Sequence, residues 1–287
     1  MSNRYPYCIF KGDSPASICP CSEVRLDLFD LGLIRAYGVF DYLRTYHQKP
    51  FRLSDYLDRF ERSAGLLGME LPTDRTTLSE LVQELIARTS PIAAAGADFG
   101  IRFLLTGGPG GEGIFPSAAP ALLVLIEPIT NPNPHDIEQG IKLLRCEYLR
   151  DLPEAKTTNY LNAVRLYPRM KAEGAAELLY CWQGSVLEAS RANIFAFFGN
   201  TLVTPLAGIL LGNTRRTVLE LASGQFDIEE RALREEELAL ADELFITGSG
   251  RMLTPVVQVD SLTVGGGRPG RKTQVLIDAF ETATGFR

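Results

Sequence analysis

At 287 residues the chain is long enough to bury two modest cores, and 45% hydrophobic against 22% charged residues is the balance of a folded, water-soluble polypeptide. A net charge of -6 gives no general electrostatic attraction to phosphate backbones or anionic membranes, so nucleic acid and membrane surfaces are excluded as expected partners. The opening MSNRYPYCIFKGD has no long apolar segment, and no run of about 18 apolar residues occurs anywhere, so a cytoplasmic protein is expected.

Taken in order, YCIFKGDSPA and VFDYLRTYHQKPFRL read as strand segments, the second turning at His47 to Lys49. Ser54-Asp55 is placed to cap a helix in which Leu57, Phe60, Ala64 and Leu67 recur at helical spacing. A second helix, Leu78 to Ala87, precedes the strand GIRFLLTG, a glycine-rich loop and the apolar strand ALLVLIEPI. In TNPNPHD two Asn-Pro steps suit an extended connector, which sets a small N-terminal domain over 1–128, a linker over 129–135 and a larger C-terminal domain over 136–287. The second half continues with strand GIKLLRCEYLR, the segment AKTTNY, a helix from Tyr160 to Glu173, and strands ELLYCWQG, SVLEAS, NIFAFFGN and TLVTP. LLGNTRRTVLELASG is a loop entering a helix; a charged helix REEELALA, strands ELFITGSG and PVVQVD and the amphipathic helix RKTQVLIDAFETATG follow. Helices and hairpins mixed in this way predict an α+β fold and not a regular βαβ repeat.

Five scattered cysteines (Cys8, Cys19, Cys21, Cys146, Cys181) are an odd number and argue for reduced thiols. Cys19-Pro20-Cys21 is half a metal hook, but with only two histidines, His47 and His135, and no second cysteine pair, no metal is expected. GGPGGEG holds the spacing G-x-G-x-x-G at Gly108, Gly110 and Gly113 after a strand; IFPSAAPA follows with two prolines and no helical period, so a dinucleotide fold is set aside.

Lys156 stands just before a predicted helix, near the positive end of its dipole, where a neutral amine is favoured and a Schiff base with a carbonyl partner becomes possible. Pyridoxal phosphate is such a partner, and it requires a carboxylate for its ring nitrogen and an anion site for its phosphate. Glu188, an acid in an otherwise apolar hairpin strand, is the candidate for the first, against the simpler reading of an edge-strand surface carboxylate. Gly212, Asn213 and Thr214, where a loop turns into a helix, are candidates for the second, against a plain helix cap. Ser249 in FITGSG and the fork of Arg59 add to the phosphate set.

The motif order resembles the fold type IV pyridoxal-phosphate family, which contains branched-chain aminotransferases, D-amino acid transaminases and aminodeoxychorismate lyases. The resemblance runs through LGLIRAYGVFDYLRTY, YLDRFERSAGLLGMELP, KTTNYL, LEASRANIF, ILLGNTRRTVLELA, LFITGSGRMLTPV and VDSLTVGGGRPGRKT. It implies Lys156 as Schiff-base lysine and proton carrier, Glu188 on the pyridine nitrogen, and Arg59, Asn193, Gly212, Asn213, Thr214 and Ser249 around the cofactor. It also implies a two-domain chain that pairs as a homodimer, amino acid and 2-oxo acid substrates, and Phe40 and Gly250 at the substrate.

The carboxylate-binding residues separate the family's members. The tyrosine and the arginine-x-histidine pair of the best-known D-amino acid transaminases are absent: Phe40 stands for the first and TGGPGG for the second. The branched-chain Tyr-x-Arg strand here reads Gly100-Ile101-Arg102, and KTTNY is one residue shorter than its counterpart. Arg35 and Arg102 are left to hold the two carboxylates of glutamate or 2-oxoglutarate, as in the non-canonical D-amino acid transaminases. The competing structural role pairs Arg102 with Asp41 or Glu112 and leaves Arg35 solvated. The expected activity is transfer of an amino group between a D-amino acid and a 2-oxo acid; the alternatives are an L-branched-chain transaminase, an aminodeoxychorismate lyase, or a cofactor-binding protein without turnover, which the intact Lys156 and Glu188 oppose. Tyr160 and Arg44 are placed near the cofactor or pocket without a defined role.

Overall fold

The computed structural model describes residues 5–12, 14–111, 114–116, 119–129 and 131–286. The chain divides into two compact units, Met1–Ile129 with Ala155–Asn159, and Thr130–Glu154 with Tyr160–Arg287. The short segment around Lys156 therefore belongs to the first unit, although it lies within the part of the sequence assigned above to the second.

In the first unit the elements are β1 (Tyr7–Lys11), β2 (Ser17–Pro20), α1 (Leu31–Arg35), β3 (Gly38–Tyr46), β4 (Lys49–Pro50), α2 (Leu53–Leu66), α3 (Arg75–Thr89), β5 (Phe99–Thr106) and β6 (Ala121–Pro128). The strands form a six-stranded sheet in the order β2-β1-β6-β5-β3-β4, antiparallel throughout. Alternation does the sorting: Val39, Leu43, Ile101, Phe103, Leu105, Val124 and Ile126 point to one face, where they bury against Leu57, Phe60, Leu78, Val82 and Leu85 of α2 and α3. Between β3 and β4 the two turn residues, His47 and Gln48, both take positive φ, as a two-residue hairpin requires. The start of α2 differs from the sequence reading. The helix begins at Leu53 after Arg52 in the left-handed region, so Ser54 and Asp55 lie in its first turn, and Asp55 accepts from Arg52 instead of capping. The glycine-rich loop leads on to strand β6, which is the topology of an α+β sheet and not of a dinucleotide crossover; Gly113 lies outside the described residues.

The second unit contains α4 (Pro134–Gln139), β7 (Ile141–Glu147), α5 (Leu161–Ala172), β8 (Glu177–Trp182), β9 (Ser185–Ala189), β10 (Asn193–Phe198), β11 (Thr201–Thr204), α6 (Asn213–Ala222), β12 (Asp227–Glu230), β13 (Leu233–Arg234), β14 (Glu243–Gly248), β15 (Met252–Val259), β16 (Leu262–Thr263) and α7 (Arg271–Thr284). Its sheet has ten strands in the order β12-β11-β10-β14-β15-β7-β8-β9-β13, with β16 beside β15. Parallel pairs (β15 with β7, β7 with β8, β11 with β12) stand among antiparallel hairpins. Helices α6 and α7 pack on each other and on β14. Two sequence expectations change here. The connector TNPNPHD becomes helical at Pro134, because proline suits the first helical position and Asn133 caps it by accepting from the His135 N-H at 3.1 Å. REEELALA makes only a 3-10 turn, Glu235–Ala239, which buries Leu238 alone and so lacks the apolar face that would extend it. Among the described residues no helix is long and apolar enough to cross a membrane.

Candidate active site

The position of Lys156 is set by the edge of β3. Phe40 N-H donates to the Lys156 carbonyl at 2.9 Å, Thr158 N-H donates to the Gly38 carbonyl at 3.0 Å, and Val39 and Thr157 form an antiparallel bridge. Lys156 N-H donates to the Oγ of Ser63, a buried residue of α2, at 3.1 Å. With its backbone held at three points, the side chain directs Nζ to 4.5 Å from the centroid of the Phe40 ring. Helix α5 itself begins at Leu161, after the N-cap Tyr160, so Lys156 is not one of its capping residues. Pairing with β3 positions Lys156 instead.

On the core face of β3, Asp41 takes both arms of Arg59 from α2, at 2.9 and 2.6 Å, with both side chains buried. Asp41 is therefore committed, and Glu112 lies outside the described residues. Arg102 finds a different anion: its Nε and Nη2 donate to Glu127 on the neighbouring strand β6 at 2.8 and 3.1 Å. Its guanidinium also lies 5.0 Å from the Tyr42 ring and 5.9 Å from the same Phe40 ring that Lys156 faces. Burial, followed by the charge of Glu127, pushes the Tyr42 phenol above its usual pKa. Arg35 ends α1; it is exposed, and its Nη1 donates to the Ile34 carbonyl at 2.8 Å.

In the second unit Glu188 is buried, which rules out a surface carboxylate. Arg150 donates to its Oε1 from Nε at 2.8 Å and from Nη2 at 2.7 Å, and Leu210 N-H donates to its Oε2 at 3.0 Å. A cation and an amide thus fix the carboxylate's orientation. Burial raises the pKa of the Tyr160 phenol, with Arg150 acting in the opposite direction, so the phenol is protonated near neutrality. Asn193 donates from Nδ2 to the Leu210 carbonyl at 2.7 Å, while its Oδ1 lies only 2.2 Å from where a Cβ on Gly212 would sit. Glycine at 212 is therefore a packing requirement. Gly212 caps α6 with no side-chain hydrogen bond, and Asn213 and Thr214 open the helix, both buried. Arg215 fastens the turn, donating to the Pro205 carbonyl at 2.9 Å and to Glu230 at 2.7 Å. Ser249 is half-buried and Gly250 exposed in the turn between β14 and β15, and a Cβ on Gly250 would meet nothing.

Three buried polar atoms among the described residues of this unit, Asn213 Nδ2, Arg215 Nε and Thr247 Oγ1, have no hydrogen-bond partner in the protein. Orphans of this kind are rare and call for an explanation. Together with an uncapped helix start, they fit an anionic ligand such as a phosphate. Thr247, Arg150 and Ser63 were not anticipated from sequence. Thr247 resembles any strand threonine; Arg150 and Ser63 act through partners 38 and 93 residues away, a distance over which no local pattern carries a signal.

Residues 38–259 match the family model described as amino-transferase class IV. The chain belongs to this family. It is 30% identical, over 90% of its own length and 91% of the other's, to the putative branched-chain-amino-acid aminotransferase of Methanocaldococcus jannaschii. It is 27% identical, over 91% of its length and 93% of the other's, to the D-alanine aminotransferase of Bacillus licheniformis. Among solved structures, a T.th. branched-chain amino acid aminotransferase with pyridoxamine 5'-phosphate superposes with a TM-score of 0.89 at 25% identity, covering 100% of this chain and 96% of that one. As a class IV aminotransferase with the corresponding two-sheet fold, the protein is a pyridoxal-phosphate-dependent enzyme. The orphaned donors and uncapped α6 of the second unit suit that cofactor's phosphate, and the Arg150-anchored carboxylate of Glu188 suits its ring nitrogen.

Proposed function

We propose that this aminotransferase moves the amino group of a D-amino acid of the D-glutamate or D-alanine type to a 2-oxo acid such as 2-oxoglutarate. The observation that carries this reading is the grouping on Phe40: Lys156 Nζ approaches one ring at 4.5 Å, and the Arg102 guanidinium stands 5.9 Å from the same ring. A fork-shaped cation that shares an aromatic neighbour with the amine suits a substrate that brings a carboxylate. Bound pyridoxal phosphate supplies a carbonyl for amines and an electron sink for the charge left at the substrate's Cα. Lys156 accepts the Cα proton and returns it, its reach fixed by the β3 edge. Glu188 keeps a proton on the pyridine nitrogen, and Arg150 holds the Glu188 carboxylate in place to do so. Gly212, Asn213, Thr214 and Ser249 hold the phosphate, and Asn193 supports the loop at Gly212; Arg59, proposed from sequence for the same phosphate, has its Nε and Nη2 engaged by Asp41. Arg35 and Arg102 grip the substrate's carboxylates, with Phe40 and Gly250 lining its path. Two successive half-reactions at one site give ping-pong kinetics.

An L-branched-chain specificity is the second reading, favoured by the relatives that carry that name. Chiral analysis of the glutamate formed from 2-oxoglutarate separates the two. D-glutamate formed with D-alanine as donor supports our reading; L-glutamate formed with L-leucine overturns it.

A further inference from the structure

The sheet face opposite the first unit's core carries charge. Alternation along β3 puts Phe40, Tyr42 and Arg44 there, and the pairings Tyr42 with Arg102, Arg102 with Leu125 and Gly100 with Glu127 put Arg102 and Glu127 on the same face. Arg102 meets both oxygens of Glu127 at 2.8 and 3.1 Å, the two-pronged geometry in which a guanidinium takes any carboxylate ligand. The two side chains keep 36% and 29% of their surface, so solvent and small solutes reach the pair. A pair this exposed contributes little net free energy, and its partners can be exchanged.

We propose that Glu127 is a specificity-determining residue: it occupies Arg102 when no substrate is present and gives it up to the second carboxylate of a dicarboxylic amino or oxo acid. This rests on Arg102 being a substrate ligand, as in the function proposed above. Discrimination between dicarboxylic and monocarboxylic substrates is then a competition between two carboxylates for one guanidinium. A dianion must displace Glu127 to reach Arg102. A monoanion with an apolar side chain leaves the pair intact and is indifferent to it.

The test is calorimetric binding to the holoenzyme of glutarate, a dicarboxylate with no amino or oxo group to react, beside pentanoate as the monocarboxylate. Glu127→Gln keeps the side chain's shape and removes the competing charge; glutarate is expected to bind about fivefold tighter while pentanoate is unchanged. Glu127→Ala, which also removes the acceptor, shifts glutarate in the same direction. Arg102→Ala weakens glutarate and spares pentanoate. If Arg102→Ala weakens glutarate but neither Glu127 variant tightens it, the competition is overturned and the role of Arg102 stands. If Arg102→Ala leaves glutarate unaffected, the substrate role of Arg102 and this inference are overturned together. Thermal unfolding of each variant verifies that it is folded.

Discussion

In the function proposed above, Lys156, Glu188 and the Arg150 behind it carry most of the chemistry. Replacing Lys156 by alanine removes the only proposed carrier of the Cα proton, so transamination should fall by at least about a hundredfold, the order of magnitude of a lost general base, while the circular dichroism stays native. Arg150→Met removes the cation from a buried carboxylate; urea denaturation of the apoprotein should show a loss of about 3–5 kcal/mol, and combining it with Glu188→Gln should recover part of this. The thiols give an independent check on burial. Cys181 is pushed up to about 12 and Cys8 also upward, both chiefly by burial, so at pH 8 both stay protonated in the folded protein. A thiol reagent at that pH should label the exposed Cys21 first and reach Cys8 and Cys181 only on unfolding. In the sequence Glu188 stands out as an acid among apolar neighbours, and Lys156 by its place just before a helix-like run. The partner of Arg102 does not: Glu127 is 25 residues away, and only the register of β5 on β6 brings the two together.

At the start of α6 sequence and structure give different reasons for one residue. In the sequence Gly212 reads as part of an anion-binding loop entering a helix; the structure adds that Asn193 Oδ1 fills the space a Cβ would need. Gly212→Ala should therefore displace Asn193 or the helix start, at a cost of about 1–3 kcal/mol in stability, and should weaken retention of pyridoxal phosphate during dialysis. Helices and strands with strong periodicity were legible, as α3, β5, β6 and α7 illustrate. Caps and short turns were not, because they depend on contacts outside the local pattern: α2 starts from a left-handed Arg52, and the residues around Lys156 pair with β3 more than a hundred residues earlier.

For the protein as a whole, each unit closes a hydrophobic core of its own, yet the first also exposes Leu28, Phe29 and Leu33 at 78, 70 and 71% beside the exposed Arg35. Apolar side chains grouped in this way mark an association surface, so we expect a homodimer, which sedimentation equilibrium would detect and which Leu33→Glu with Phe29→Glu should weaken. Substrate handedness is the property that fold alone leaves open, since it depends on where the α-carboxylate is gripped and not on the scaffold. The most direct measurement is a half-reaction: mix the holoenzyme, wild type and Arg102→Ala, with D-glutamate, L-glutamate or L-leucine, and follow the visible absorbance of the bound cofactor. The two-arginine reading predicts loss of that absorbance with D-glutamate alone, abolished in Arg102→Ala. Loss with L-leucine alone, undisturbed by the substitution, would contradict it.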